Sequence, residues 1–303
     1  MENKKKATTA LDKYHILRRK FKYFCKFIYV YAYYTLNFVG EKKAKELFET
    51  IKPINIQDQL IRIGDEFDGG YLIPNDIDEV DACLSPGVGG TITFDEYFAN
   101  KGIPVFMCDA SVDKLPVKND KIKFDKKFLS DQTIGNKIHI NEWIEQKTKS
   151  LNSSNNLIFE MDIEGAEYNC LNALSEENLK KMNIIVIEFH YLYKWLHKNN
   201  YQYYLNIFKK LTEFHDVVHI HPNVIGRYSK VSNIYTPNVI EITFYRKNSK
   251  ITGSDKPLHL PHPLDAPNYP PYASTYLSKN PAIICNIRKD MIIPENWFNN
   301  KNI

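Results

Sequence analysis

The chain has 303 residues, of which 43% are hydrophobic, so it is long enough to form one large domain or two small ones with a sizeable core. The first 50 residues hold 12 Lys or Arg against 5 Asp or Glu, whereas the rest hold 28 against 31. Because the main part of the chain is weakly acidic, the composition argues against a nucleic-acid-binding protein, which needs a basic face there.

Cysteine usage argues against an oxidised or zinc-bound protein. The five cysteines are scattered, and no Cys-x-x-Cys pair occurs. Two of them, Cys83 and Cys108, lie in apolar runs that are typical of buried strands. We therefore expect reduced, buried thiols and a cytoplasmic protein without a zinc site.

Residues 1–52 are predicted to form a basic and aromatic helical arm. Its apolar run, residues 27–39, is about 13 residues long, whereas a span across a bilayer needs about 20. The run also starts late and lacks a small-residue cleavage site, which argues against a signal peptide. Two interpretations remain open: a helix that lies at the inner face of a membrane, or a helix that packs on its own domain or on a second subunit.

From residue 60 to residue 247, short apolar runs alternate with helix-forming stretches. We predict strands at residues 60–63, 71–73, 81–84, 105–108, 122–124, 157–161, 183–189, 217–220 and 239–245, and helices near 94–101, 138–149 and 200–214. This alternation predicts an α/β domain, residues 53–250, with a mostly parallel sheet and helices on both faces. The proline-rich residues 251–303 are predicted to be an extended tail that packs on this domain.

The first two core strands carry a pattern that is typical of cofactor binding. A loop containing Gly87 and Gly89 follows the first core strand, and the second core strand ends at Asp109. Glycines let a backbone approach a ligand closely, and an acid about 20 residues further on can hold ribose hydroxyls. The spacing therefore predicts a cofactor site at the ends of these strands.

The central strand, residues 157–161, runs directly into three acids around Gly165. A single acid could cap the helix that follows and complement its dipole. Three acids beside a glycine favour a functional site at the mouth of the sheet. These acids are Asp162, Glu164 and Glu167.

Two later strands add further acids and histidines. One ends at Glu188 and His190, and the next leads into His219 and His221. In a doubly wound sheet the carboxyl ends of the strands share one edge. We therefore expect these side chains to form one pocket with the glycine loop.

The order of these motifs resembles that of a known family. In chain order they are Arg62-x-Gly64, Asp68-Gly69-Gly70-Tyr71, Ser85-Pro86-Gly87-Val88-Gly89, Phe94, Asp109, Met161-Asp162-Ile163-Glu164-Gly165-Ala166-Glu167, Glu188-Phe189-His190 and His219-Ile220-His221-Pro222-Asn223. Residues 60–247 thus resemble FkbM-type methyltransferases. The resemblance implies a class I methyltransferase (Rossmann-like) fold and S-adenosylmethionine (SAM) as the donor. It also implies a small-molecule or glycan acceptor, methylated on a hydroxyl of a sugar or related cell-envelope or capsule metabolite.

The resemblance also implies roles in cofactor binding. The loop residues Gly87, Val88 and Gly89 would line the methionine and ribose part of SAM, and Asp109 with the adjacent Ala110 would hold the ribose. Such folds usually place an acid at the head of the loop, where this chain has Ser85, which we also expect to belong to the cofactor site. We expect Asp68, in the hairpin that precedes the core strands, to replace that acid at the cofactor's ammonium group.

A hydroxyl acceptor must lose a proton, and a histidine is a natural base near neutral pH. We expect His190 or His221 to accept this proton, with the other orienting the substrate; His221 lies nearer its strand end than His219. The resemblance places Asp162 and Glu164 near the transferred methyl, where they would position the acceptor. The alternative is that both histidines only cap strand ends.

Three other interpretations remain open. The glycine loop and Asp109 would also suit an NAD(P)-dependent oxidoreductase, although a third glycine and a Tyr-x-x-x-Lys pair are missing. The second is a non-catalytic, membrane-associated glycan-binding protein, although the intact acids and histidines argue against it. Methyl transfer could also use a divalent metal on Asp162, Glu188 and His190, although we do not predict a metal.

Overall fold

The computed structural model describes residue 33 and residues 36–223, 229–231, 234–256 and 258–268. The helices in this part of the chain are α1 (Glu41–Thr50), α2 (Thr93–Asn100), α3 (Ile140–Thr148), α4 (Glu167–Ala173), α5 (Glu176–Lys181) and α6 (Tyr201–Phe214), with 3-10 turns at Gln57–Gln59 and Leu192–Leu196. The strands are β1 (Leu60–Gly64), β2 (Gly70–Pro74), β3 (Ala82–Pro86), β4 (Val105–Cys108), β5 (Ile122–Asp125), β6 (Phe128–Ser130), β7 (Lys137–His139), β8 (Leu157–Met161), β9 (Met182–His190), β10 (His215–Pro222), β11 (Ser229–Val231), β12 (Ile234–Thr236) and β13 (Val239–Arg246).

Seven strands form one sheet in the order β10-β13-β9-β8-β3-β4-β5. Strand β13 is antiparallel to both of its neighbours, and the strands from β9 to β5 pair in parallel. This order confirms the predicted mostly parallel sheet of a class I methyltransferase fold. The chain moves outward from β3 to β5 and then crosses back to β8, so the direction of winding reverses between β3 and β8. Ligands bind at such a switch point, outside the carboxyl ends of the strands.

The core strands are buried on both faces, which explains why their sequences are continuous apolar runs rather than alternating ones. Successive residues of β8 point to opposite faces. Phe159 packs with helices α1, α3, α4 and α6, whereas Ile158 packs with helix α2 and the β1–β2 hairpin. The helices on both faces are therefore as predicted, and the hairpin adds to the cover on one face.

Helix α1 packs inside the domain. Its residues Ala44, Leu47 and Phe48, followed by Ile51, are completely buried at the spacing of one helix face. They lie in the same core cluster as Phe208 of α6. Residues on both sides of the domain boundary predicted after residue 52 therefore share one packed core. Residues 1–32 of the predicted arm lie outside the described residues.

The described part of the tail lies against the domain. Ser254 forms a bridge with Asn55, and Leu258 is buried. Further along, the Asp265 side chain is only 2% exposed. Among the described helices, none combines the length and the apolar character that a membrane span requires.

Candidate functional site

A cavity of about 910 Å³ opens at the carboxyl ends of β3, β4 and β8. It is lined by five of the predicted cofactor-binding residues, namely Asp68, Gly87, Val88, Gly89 and Asp109, and by the predicted catalytic acids Asp162 and Glu164. The other two predicted cofactor-binding residues, Ser85 and Ala110, are not among the described residues that line it. The cavity lies at the switch point of the sheet, so the topology and the sequence motifs indicate the same site.

The glycine loop touches the end of β8. Gly87 has φ of +102°, and a Cβ atom there would lie 1.9 Å from the carbonyl oxygen of Asp162. The amide of Asp162 in turn donates to the carbonyl of Pro86 at 3.2 Å. Only glycine fits this approach, and it fixes the loop beside the acids that follow β8.

Asp109 joins the ends of β3 and β4. Its Oδ2 accepts from the amide of Val88 at 3.0 Å, and its Oδ1 accepts from the amide of Ser111 at 2.6 Å. These bonds orient the carboxylate at the cavity wall. Each oxygen has further lone pairs, so the group could still accept from two ribose hydroxyls.

An acid does stand beside the head of the glycine loop, although it comes from a neighbouring strand. Ser85 donates from Oγ to Oε2 of Glu160 at 2.7 Å, and Glu160 lines the cavity. Burial, followed by the nearby charge of Asp95, raises the pKa of Glu160 well above its usual range. Glu160 was not predicted from the sequence, because it lies inside an apolar strand. Asp68 also lines the cavity, so both acids are placed for the role predicted for Asp68.

A second wall of the cavity was not predicted from the sequence. The small two-stranded sheet of β6 and β7 contributes Phe128, Leu129, Ser130 and Lys137 to the lining. Phe128 is 40% exposed and Leu129 is buried. Strands of three residues give too short a pattern to recognise in the sequence.

His190 lies behind the cavity acids and is held on one side. Its Nδ1 is 2.8 Å from Oε1 of Glu167, and the same oxygen accepts from the amide of Gly165 at 2.8 Å. On the other side, Nε2 lies 3.3 Å from Oε2 of Glu164 and 3.4 Å from Oε1 of Glu188. It also lies 3.9 Å from Oδ1 of Asp162. The structure thus brings together four of the predicted residues around one imidazole.

The pKa values of this group are shifted together. Burial raises the pKa of Asp162 to about 7, with the His190 charge opposing the shift and the carboxylate of Glu164 adding to it. Burial lowers the pKa of His190, but the hydrogen bond to Glu167 and the surrounding carboxylates outweigh that effect and raise it. Asp162 and His190 therefore titrate as a pair.

The turn after β8 is strained. Glu164 has φ of +55° and Gly165 has φ of +104°, and Tyr191 at the end of β9 has φ of +59°. A Cβ atom on Gly165 would lie 2.5 Å from the Tyr191 ring. Non-glycine residues held in this region cost on the order of 1–3 kcal/mol each, and such strain clusters at functional sites.

His219 and His221 lie in a different environment. Nε2 of His219 is 3.1 Å, and Nδ1 of His221 is 3.4 Å, from Oδ1 of Asp265 in the tail. Nε2 of His221 is 3.2 Å from Oδ1 of Asn268. Both histidines are 3% exposed, and neither is among the described residues that line the cavity. His190 is likewise not among the described residues that line the cavity, so the proton-acceptor role of either His190 or His221 stays a prediction.

Comparisons with known proteins agree with the motifs. Residues 92–218 match the family model described as the methyltransferase FkbM domain, which confirms the resemblance seen in the sequence. No curated protein matches the chain closely enough to count as a relative.

Two solved structures show weak likeness. The fibrillarin/Nop5p complex is 10% identical, with 55% of this chain and 73% of that chain covered at a TM-score of 0.33. A candidate RNA methyltransferase from Pyrococcus horikoshii is 12% identical, with 68% and 98% covered at a TM-score of 0.27. Both scores are low, and the fold assignment rests on the strand order of the sheet itself.

Proposed function

We propose that this chain, whose residues 92–218 match the methyltransferase FkbM domain, transfers a methyl group from SAM to a hydroxyl of a sugar or related cell-envelope or capsule metabolite. The charge of the cavity is the observation that carries the choice of cofactor. Eight acidic side chains line it, from Asp65, Asp68, Asp95, Asp109, Asp131, Glu160, Asp162 and Glu164, whereas Lys137 is the one basic side chain among the described lining residues. Burial raises the pKa of Asp95, Glu160 and Asp162, so most of the negative charge comes from the other five acids.

This charge distribution distinguishes SAM from the dinucleotide of the rival interpretation. SAM carries a sulfonium, an ammonium and one carboxylate, so it is a net cation near neutral pH. A dinucleotide carries two negative phosphates, which a cavity lined with carboxylates repels. The charge therefore supports a SAM site and opposes an NAD(P) site.

The cofactor's parts find chemical partners along the cavity. The carboxylate of Asp109 suits the ribose hydroxyls, and the carboxylate of Asp68 suits the ammonium group. We expect Asp162, just after the end of β8, to lie beside the reacting end of the cofactor, because the glycine loop approaches the backbone of Asp162 at Gly87. SAM supplies a methyl group on a positively charged sulfur, and the remaining work falls to the protein's own side chains.

That work is to align the acceptor oxygen and to take its proton. We assign the proton to the shared pair of Asp162 and His190, because the pKa of Asp162 is raised to about 7. A base works best when its pKa lies near the working pH. Glu167 holds the imidazole of His190 from behind, so the pair keeps a fixed orientation.

The surface beside this pair supports a sugar as the acceptor. Tyr191 and Tyr193 are 36% and 38% exposed, and their ring centroids are 6.5 Å apart. The Tyr191 ring is also 6.0 Å from the ring of His190. Exposed aromatic rings beside a catalytic group offer the flat apolar faces on which sugar rings stack.

The test is binding followed by transfer. Thermal shift and calorimetry with SAM, its demethylated product and NAD should show binding of the first two alone. Asp109→Ala should weaken SAM binding by about 1.5–3 kcal/mol, or roughly 10- to 150-fold, because the ribose loses a charged acceptor. Asp113→Ala is the matched control, since Asp113 is 92% exposed. No response to SAM or its product would overturn the proposal. Labelled SAM with candidate sugars and cell-envelope extract would then identify the acceptor.

A further inference from the structure

The described part of the tail ends at Asn268, whose side chain reaches the wall of the cavity. Asn268 is only 4% exposed. Its Nδ2 donates to Oε1 of Glu241 in β13 at 2.6 Å and to Oδ1 of Asp68 in the β1–β2 hairpin at 3.3 Å. Asp68 lines the cavity, whereas Asn268 is not among the described lining residues. The tail therefore contacts a cavity acid through a buried amide.

The neighbours of Asn268 fix the direction in which its amide points. An amide has two N–H donors and one carbonyl acceptor. The nitrogen faces the two carboxyl groups, and Oδ1 lies 3.2 Å from Nε2 of His221. Burial lowers the pKa of His221, but the nearby charges of Glu241 and Asp265 outweigh this effect and raise it, so Nε2 carries a proton to donate. The reversed amide would place its carbonyl oxygen against both acids.

Asp68 depends on this amide for its orientation and its charge. Among the described residues, only Asn268 donates a hydrogen bond to the Asp68 carboxylate. Burial raises the pKa of Asp68, and the hydrogen bond from Asn268 opposes that shift. Nearby acids favour the neutral form of Asp68. These acids are Asp65, Asp162, Glu164, Glu188 and Glu241, and Arg62 is a cation of the same hairpin.

Attachment of the tail does not by itself explain the contact with Asp68. Oδ1 of Asp265 already lies 3.1 Å from Nε2 of His219 and 3.4 Å from Nδ1 of His221. Three positions later, Asn268 directs one N–H donor to Glu241 and the other to Asp68. The second donor thus serves an acid of the cavity wall.

We propose that Asn268 is a positioning residue of the cofactor site, which holds the Asp68 carboxylate at the cavity wall where it meets the ammonium group of SAM. The role of Asn268 rests on the proposed function, because it requires SAM in the cavity. An ionised carboxylate has about four lone-pair sites, and Asn268 uses one of them. The other sites of Asp68 can accept charge-assisted hydrogen bonds from the ammonium group.

This arrangement couples cofactor binding to the attachment of the tail. Coupling between two sites is reciprocal. If the contact between Asn268 and Asp68 strengthens SAM binding, bound SAM must strengthen the attachment of the tail by the same factor. The affinity for SAM and the protection of the tail are therefore two independent measures of one contact.

Calorimetry with SAM and its demethylated product, which carry the same ammonium group, gives the first test. In Asn268→Ala, the ratio of the dissociation constant to that of wild type should be about 10 at pH 5.5 and fall to about 3 at pH 7.5. The ratio falls because loss of the donor raises the pKa of Asp68, so its carboxyl group is neutral at the lower pH and ionised again at the higher pH.

Asn55→Ala is the matched control. Asn55 also donates a hydrogen bond to the tail, at 3.0 Å to the carbonyl of Lys256, but it is not among the described residues that line the cavity. Its ratio should stay near 1 at both pH values. A ratio near 1 for Asn268→Ala overturns the proposal. A loss of affinity that is equal at both pH values also overturns it, because that loss does not follow the charge of Asp68.

A double-mutant cycle then tests whether Asn268 acts through Asp68. In an Asp68→Asn background, Asn268→Ala should change SAM affinity by less than about 2-fold, because the acid that it positions is absent. An equal loss of affinity in the wild-type and Asp68→Asn backgrounds would show that Asn268 acts only through the fold, which overturns the proposal.

Hydrogen exchange tests the coupling without any change in the tail. Saturating SAM should slow exchange of the amides of residues 258–268 several-fold in wild type and much less in Asp68→Asn. Residues 254–256 of the same tail are the internal control. Asp68 is exposed, so this variant should fold. Exchange that SAM leaves unchanged in wild type, or slows equally in Asp68→Asn, overturns the proposal.

The calorimetry also separates this proposal from the proposed function. Binding of SAM to wild type with an unchanged affinity in Asn268→Ala overturns the role of Asn268 and leaves the SAM site intact. No binding of SAM or its product to wild type overturns the proposed function, and the role of Asn268 with it.

Discussion

Two clusters of histidines and acids lie at the same edge of the sheet and differ in how they are completed. The His190 cluster consists of Asp162, Glu164, Glu167, Glu188 and His190, and the His221 cluster consists of His219, His221, Glu241, Asp265 and Asn268. In the His190 cluster, Nε2 of the histidine lies 3.3 Å from Oε2 of Glu164, whose side chain is 82% exposed. In the His221 cluster, the tail inserts Asp265 between the two imidazoles. The first cluster is open to a ligand, whereas the second is closed by the chain itself.

The acids of the two clusters show the difference most clearly. Burial raises the pKa of Asp162 to about 7, and only one histidine opposes the shift. Burial acts in the same direction on Asp265, but the charges of His219 and His221 outweigh it and hold the pKa of Asp265 well below its usual range. A histidine near an acid at a strand end is thus the proposed proton acceptor in one place and an attachment point for the tail in the other.

Rates of methyl transfer should separate the clusters by the largest factor. With saturating SAM and an identified acceptor, Asp162→Asn and His190→Gln should each lose about 10²–10⁴ in turnover, because the proton has no acceptor. His221→Gln should stay within a few-fold of wild type. If His221→Gln lost as much turnover as His190→Gln while its unfolding midpoint was unchanged, the two clusters would not differ in role.

The free energy of unfolding should depend more on the His221 cluster than on the His190 cluster. Asp265→Ala leaves two buried histidines without their shared acid, which should cost about 3–5 kcal/mol of unfolding free energy. Asp255→Ala, at an exposed position of the same tail, should change stability by less than about 0.5 kcal/mol. Denaturant unfolding of both variants measures the difference. Equal stability of the two would show that the tail is not fastened through Asp265.

Patterns local to one strand were readable from the sequence. The apolar runs fixed the seven strands of the main sheet, and the motifs at their ends placed Gly87, Asp109 and Asp162 at one cavity. The side-chain contacts of a residue at a strand end could not be predicted, because the contacting residue lies far away in the sequence. Glu160 meets Ser85 from 75 positions further on, and Asp265 reaches His221 only because the tail folds back. The His190 and His221 clusters therefore look alike in sequence and differ in structure.

The pH dependence of stability should have opposite signs in the two clusters. Asp162 has a folded pKa of about 7, above its unfolded value of about 3.9, so its stabilising effect is present below pH 4 and is lost as pH rises through 7. Asp162→Asn should therefore gain on the order of 1–2 kcal/mol relative to wild type between pH 5 and pH 8.

Asp265 has a lowered folded pKa, so its contribution is present above about pH 4 and is lost only as pH falls below that value. Asp265→Asn should therefore be less stable than wild type at both pH 5 and pH 8. Midpoints of thermal unfolding at the two pH values measure both effects. If both variants were more stable than wild type at pH 8, or both less stable, the contrast between the clusters would be contradicted.

The smallest effect should come from the strained turn beside the His190 cluster. Gly165→Ala and Gly102→Ala both place alanine at a positive φ, which costs about 1–2 kcal/mol in each. At Gly165 the new Cβ also meets the Tyr191 ring, whereas nothing lies within 4 Å of it at Gly102. That ring is partly exposed and can move, so the added cost in stability should be less than about 1 kcal/mol.

The two glycine variants should nevertheless differ in turnover. The turn that Gly165 completes carries Asp162 and Glu164, and its amide donates to the same Glu167 oxygen that holds His190. Moving this turn should lower methyl transfer by several-fold with SAM affinity unchanged, while Gly102→Ala should keep the wild-type rate. The tail, which is fastened at the other cluster, should resist proteolysis equally in both variants. Equal turnover in the two variants would mean that the strain in this turn does not position the His190 cluster.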